Sequence, residues 1–388
     1  MRKSYLFVLF CFSSVLINAQ TYVAAPTKQK QANLSYNLAY DTVKTLDVSQ
    51  FYNLRYSLQN VNGPTYTLFY NKDADRMFDL CKGGEMSNCS KIKPAFIDSI
   101  YRNEDERISA VYLHTPDSLF AITDKFIYGF NSAGKMFVKI DFAGTLKKQF
   151  PGYDIYFSQK EKPFYYYAPS NSFFISVAGS HVTKGVKQAL KKGVPLFLKF
   201  SLADAKWERV NVTYSEIFRK NDYGLATEYY TSFTGDAILY NFQSEPNIYK
   251  YMPATNTVEV IGGASSYADS IPKGFKKRKQ DRDFMFNWFV RIPKYDSPVM
   301  YDPFKNFYYR VFYKGIPVKN SAGLYNTQWD KGAVVMVFDR DFNVVKEIEF
   351  APGLLSRGKP FVSEKGLHLD LRTKSPDQPK VYAIIDVK

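Results

Sequence analysis

Short runs of alternating apolar and polar residues, broken by turn formers, recur along most of this chain. The stretch Ile108–Phe142 shows the pattern most plainly, as ISAVYLH (108–114), SLFAIT (118–123), KFIYGFN (125–131) and KMFVKIDF (135–142). Aromatic and β-branched residues fill the runs, and Pro116-Asp117, Asp124 and Ser132-Ala133-Gly134 separate them. The first group suits a pleated, half-buried surface and the second suits tight turns. The pattern predicts one up-and-down sheet of four strands, the size of a propeller blade.

The same layout repeats. With the strands of a blade lettered A to D, B segments are predicted at 65–71, 118–123, 172–178, 236–242, 306–313 and 367–372. Each is followed by a C segment, at 75–80, 125–131, 195–201, 247–252, 333–339 and 381–387. The B segments start about 50 to 70 residues apart, near the period of blade-type repeats. D segments follow in five cases, at 90–97, 135–142, 206–212, 257–263 and 343–350. The sixth is predicted near the N-terminus, where DTVKTLDV (41–48) carries the same pattern.

The prediction is therefore an all-β fold, a six-bladed β-propeller of four-stranded antiparallel blades. An N-terminal strand pairing with the C-terminal strand closes it, which leaves no open sheet edge around the ring. Seven blades is the nearest alternative. Residues 34–388 form this single domain, and residues 20–33, polar and aperiodic, predict a mobile lead-in. The only helical pattern is GVKQALKK (185–192).

The N-terminus adds a compartment. Arg2 and Lys3 precede the apolar run Tyr5–Ile17, and Ala19 is a small residue before Gln20. Residues 1–19 predict a secretory signal peptide, hence a periplasmic, outer-membrane-associated or extracellular protein. Phe10 precedes Cys11 where a lipid-anchor signal needs a small residue, so no lipid anchor is predicted. No other apolar run is long enough to span a membrane. Cleavage would leave 369 residues and, without Arg2 and Lys3, a formal net charge of +13 in place of +15. Aromatic residues, 17% of the chain, lie mostly inside the strand-like runs and read as packing between sheets.

Candidate chemistry is sparse. Cys81 and Cys89 flank KGGEMSN, and an oxidising compartment predicts a disulfide between them. His114, His181 and His368 are scattered without metal-ligand spacing, so no metal and no cofactor are predicted. Asp339 and Asp341, in FDRDFN, read as turn residues, and Asp281 and Asp283 flank Arg282 in a charged loop. His114, beside Pro116-Asp117, reads as a packed residue near a turn. No Gly-x-Ser-x-Gly elbow, Gly-rich phosphate loop or EF-hand loop is present, and no nucleic-acid recognition module.

The long insertions carry most of the functional signal. In propellers the B–C loops and D–A connections emerge on one face, around the mouth of the central channel. The B–C loops 179–193 and 314–332 and the connection 271–283 are the long ones here. They would bring Lys184, Lys187, Lys191, Lys192, Lys276, Lys277, Arg278 and Lys279 to one face, beside His181, with Tyr325 and Trp329 from the fifth blade. Such a positive field attracts anionic partners, although a lysine run is also what any solvated loop carries.

HTPDSLF (114–120), IYGFNSAGK (127–135), the signal peptide and the six-fold layout resemble the uncharacterised secreted six-bladed propeller proteins of Bacteroidota. These carry a domain-of-unknown-function label. The resemblance covers the chain from about residue 34. Members are often lipoproteins, from which Phe10-Cys11 departs, and the family implies no catalytic residues.

Two functions fit. One is a binding or assembly module that recognises an anionic glycan or an envelope protein through the basic face, with Tyr325 and Trp329 as stacking or anchoring groups. The other is a propeller lyase or hydrolase acting on an acidic polysaccharide. That enzyme would need carboxylates, His or Tyr converging at the channel beside the lysines. Oligomeric state is not legible.

Overall fold

The computed structural model describes residues 25–30, 34–42, 54–60, 65–71, 77–82, 89–102, 108–155, 164–179, 195–221, 223, 228–268, 282–356, 360–372 and 381–388. After the N-terminal strand β1 (Tyr36–Thr42), successive strands pair antiparallel into sheets, and six sheets are present among the described residues. Sheet one holds β2 (Leu54–Asn60), β3 (Thr65–Asn71), β4 (Phe78–Lys82) and β5 (Cys89–Ile92). Sheet two holds β6 (Ala110–Thr115), β7 (Ser118–Ile122), β8 (Phe126–Phe130) and β9 (Met136–Asp141).

In sheet three, β10 (Tyr153–Ile155) and β11 (Tyr165–Tyr167) both pair with β12 (Ser172–Gly179), followed by β13 (Phe197–Ser201) and β14 (Lys206–Arg209). Sheet four is β15 (Tyr229–Phe233), β16 (Ile238–Phe242), β17 (Ile248–Met252) and β18 (Thr257–Ile261). In sheet five, β19 (Lys294–Tyr295) and β20 (Met300–Asp302) share the A position beside β21 (Phe307–Tyr313), then β22 (Ala333–Phe338) and β23 (Val344–Phe350). Sheet six is β24 (Phe361–Ser363), β25 (Gly366–Asp370), β26 (Val381–Val387) and β1.

The fold is a β-propeller, with neighbouring A strands side by side: β2 with β6, β6 with β11, β15 with β20, and β20 with β24. Alternation within the strands builds it. In β12, Phe173 and Ile175 point into the seam with sheet two, whereas Phe174 between them points into the seam with sheet four. Strand side chains alternate between faces, so a blade packed on both sides is apolar at nearly every position. Five such clusters join successive sheets from one to six.

The predicted B and C segments coincide with the observed strands within a few residues, and three expectations need correction. The N-terminal strand does pair with β26, but through residues 36–42 (Tyr36 opposite Val387, Thr42 opposite Val381) rather than 41–48. The pairing extends one step further back, where Lys388 N–H donates to the Ser35 carbonyl. Residues 25–30, expected within a mobile lead-in, are tied to sheets four and five through Gln29 against Val344 and further hydrogen bonds.

The third correction concerns helices, of which four appear among the described residues: α1 (Ile97–Arg102), α2 (Phe142–Gln149), α3 (Glu216–Lys220) and α4 (Arg282–Arg291). The D segment predicted through Phe142 ends at Asp141, whose carboxylate accepts from Gly144 N–H at 2.8 Å and starts α2. Phe142 and Leu146, four apart, then bury one helical face. The predicted helix 185–192 and the signal peptide lie outside the described residues. No described helix is long and apolar enough to cross a membrane.

Candidate functional site

The B–C loop of sheet five forms an ordered hairpin that stands out from the D–A and B–C face. Lys319 and Tyr325 bridge, and Asn326 N–H donates to the Val318 carbonyl at 2.8 Å. Asn320 closes the tip: its side-chain oxygen accepts from Ala322 N–H and Leu324 N–H, both at 3.0 Å, and Gly323 takes a left-handed φ of 77°. Asn and Gly in these roles are what a tight turn demands. The hairpin presents Leu324 and Tyr325, each 66% exposed, with the Lys319 ammonium 4.9 Å from the Tyr325 ring centre.

Trp329, 38% exposed, follows on a short 3-10 turn. Thr327 caps that turn, and Asp330 answers by accepting from Thr327 N–H and hydroxyl, both at 2.7 Å. Those bonds, with Arg372 3.9 Å away, hold the Asp330 carboxyl below its usual range. Lys331 anchors the base. Its ammonium is buried and donates to the carbonyls of Phe289 (3.1 Å) and Ile292 (2.6 Å), neutralising the C-terminal end of α4. Among the described residues, Lys319, Arg291 and Arg372 are exposed basic groups beside this hairpin.

Beneath that face, the seam between sheets four and five is polar at its centre. Arg310, fully buried on β21, donates to the carbonyls of Pro246, Gly263 (3.1 Å) and Glu245 (3.1 Å), and its guanidinium lies 3.9 Å over the Tyr295 ring. The Glu245 carboxylate accepts from Ser215 Oγ and Tyr249 Oη, both at 2.6 Å. Burial pushes the Glu245 carboxyl up to about 7, against those two hydrogen bonds and the Arg310 charge, which favour ionisation. Burial likewise pulls Arg310 down to about 10. Each shift favours the neutral form, so desolvation outweighs the attraction between the two charges.

Tyr230 Oη and Gln243 Nε2 both donate to the Asp296 carboxylate, joining strand β15 to the segment after β19. At the contact between sheets two and three, His114 packs edge-on against Tyr166, 4.7 Å between ring centres, and burial lowers its pKa. Among the described residues no group of three or more His, Cys, Asp or Glu could hold a metal ion.

Of the predicted site residues, the structure places Tyr325 and Trp329 together on one loop. His181, Lys184, Lys187, Lys191, Lys192, Lys276, Lys277, Arg278 and Lys279 lie outside the described residues. Cys81 and Cys89 are bonded, paired across β4 and β5 with Cα atoms 4.0 Å apart. Asp339 serves its turn, accepting from Asp341 N–H and Asn343 N–H. The Glu245–Arg310 group was missed, although one signal was present: Arg310 is a lone charge inside the apolar run NFYYRVFY.

The model of a domain of unknown function, DUF4221, matches residues 107–349. Among solved structures, a DUF4221 family member from Bacteroides vulgatus is similar at 14% identity and a TM-score of 0.64, covering 93% of this chain and 99% of that one. A protein of unknown function from Bacteroides caccae is similar at 7% identity and a TM-score of 0.36, covering 76% and 81%. The Swd1 β-propeller domain of Myceliophteria thermophila is similar at 10% identity and a TM-score of 0.38, covering 82% and 79%. No curated protein sequence matches the chain.

Proposed function

This chain belongs to the DUF4221 family, and from that premise we propose that it is an exported binding module that docks an acidic envelope protein through the hairpin face. The observation that carries the proposal is the hairpin of residues 318–326, whose backbone is hydrogen-bonded while Leu324 and Tyr325 stand two-thirds exposed at its tip. A rigid loop that presents apolar and aromatic side chains loses little entropy on binding, and aromatic anchors dominate protein interfaces. A formal net charge of +13 once the leader is removed, with Lys319 and Arg372 flanking the loop, favours an acidic partner. Leu324 favours a protein over an anionic glycan, because a leucine offers a sugar ring no stacking face. The enzymatic alternative, a lyase or hydrolase acting on an acidic polysaccharide, has less support, since Glu245 is sealed inside the seam.

The test compares wild type with Leu324→Ser/Tyr325→Ser as bait for envelope extract and for a soluble polyuronate, at low and high salt. One discrete protein should be held by wild type at low salt, released at high salt, and bound at least tenfold more weakly by the variant. Equal retention by both baits would overturn the hairpin reading. Retention of the polyuronate alone would replace the protein partner with the glycan.

A further inference from the structure

Residues 25–30 lie against the edge of sheets four and five, held by backbone bonds to Val344 and by bonds through the Asn247, Thr27 and Lys30 side chains. Ala25 N–H donates to Asn247 Oδ1 at 3.0 Å, and Ala264 N–H donates to Thr27 Oγ1 at 2.8 Å. Val344 then closes a parallel bridge around Gln29: its N–H donates to the Lys28 carbonyl (2.9 Å), and its carbonyl accepts from Lys30 N–H (3.1 Å). Gly262 makes the close approach possible, since a Cβ there would lie 2.5 Å from the Ala25 carbonyl oxygen. Pro26 is exposed and has no N–H to satisfy, so an extended chain passes at that point without an unpaired donor. Lys30 Nζ adds an ion pair with Asp339 at 3.5 Å.

This is how peptide-recognition grooves work: backbone bonds supply affinity, and a few fitted positions supply selectivity. We propose that the groove formed by Asn247, Gly262, Ala264 and Val344 is a binding site for an extended peptide of the type small residue–Pro–Thr. The chain's own Ala25–Lys30 fills it in cis. A tethered segment competes at high effective concentration, so the site opens to an outside peptide only after the strap is cut or released. The groove is independent of the hairpin face.

Trypsin tests this, because it cuts after Lys28 and Lys30, both bonded to Val344. Wild type should resist cutting there. Gly262→Val, which expels the strap, should be cut at least tenfold faster at these two sites. Thr27→Val alters the strap alone, leaves the groove intact, and should be cut at an intermediate rate. Protein clipped after Lys30 should bind a fluorescent peptide of residues 23–31 saturably at one site, with the Thr-to-Val peptide at least tenfold weaker and uncut wild type not binding. Equal cutting of wild type and both variants would overturn the proposal. So would a clipped protein that binds no peptide, or binds a scrambled one equally well.

Discussion

The seam between sheets two and three and the seam between sheets four and five are built from the same kind of strand, yet their centres differ. The first is apolar throughout, with Phe120, Ile122, Ile127, Phe173, Ile175, Leu198 and Phe200 interlocked and Trp207 donating to the Phe142 carbonyl at its rim. The second has an apolar cluster around Phe312, Val334 and Phe338 and, beside it, buried Arg310, Glu245, Asn241 and Gln243. Apolar packing is tolerant: shapes can adjust, and no single atom must be matched. A buried charge network is not, because each group must find its partner or carry a desolvation penalty of several kcal/mol. The intolerant seam is the one that carries the strap and adjoins the hairpin. Its fixed partners position the 243–247 loop and the segment 262–264, to which the N-terminal residues bind.

The largest expected effect comes from breaking that network. Arg310→Ala should cost roughly 3–5 kcal/mol, because it strands three carbonyls and leaves Glu245 without its compensating charge. Arg310→Lys should recover little of this, since a single ammonium cannot reproduce a planar fork aimed at separate carbonyls. Urea denaturation of the three proteins at pH 7 measures both. A Lys variant as stable as wild type would mean that charge alone, and not the fork, holds the seam.

How much of this contrast was legible depends on how local its causes are. The sheets were legible because each B and C segment carries its own alternation, as in SFFISVAG and FLKFS. The hairpin was legible only as an insertion at 314–332, and the turn made by Asn320 and Gly323 came from the structure. Helix α2 was not, because Phe142 continues the alternation of KMFVKIDF, and a strand reading absorbs it and leaves too little of the helix to see. Arg310 stood out, but its partners come from 47 to 65 residues away, and no local pattern announces them. The strap was invisible for a different reason. Its bonds are mostly to backbone atoms, so APTKQK has no need to look apolar.

A smaller, pH-dependent effect sharpens the comparison. The folded Glu245 carboxyl titrates near 7 against an ordinary 4.5, so between those values the folded protein binds a proton that the unfolded chain has lost. This group's contribution is therefore fully present below about pH 4.5, falls as pH rises, and is gone above about 7. The change is on the order of 3 kcal/mol. Glu245→Gln should flatten the stability profile across this window. If the variant's slope between pH 4.5 and 7 matches that of wild type, Glu245 is ionised throughout and the Arg310 attraction has been underestimated.

The smallest effect belongs to the apolar seam and tests its tolerance. Ile175 is fully buried on β12, opposite Leu198 and inside the cluster shared with sheet two. Ile175→Leu keeps volume and hydrophobicity and changes only where the branch sits. Neighbouring side chains can adjust their rotamers to that, so the cost should stay below about 1.5 kcal/mol. No ionisable group of this cluster gains or loses a partner, so the cost should be the same at pH 5 and pH 8, unlike any change around Glu245. Chemical denaturation at the two pH values reads both quantities. A loss as large as that of Arg310→Ala would show that this seam is as exacting as the polar one, and the difference between them would then lie in chemistry alone and not in tolerance.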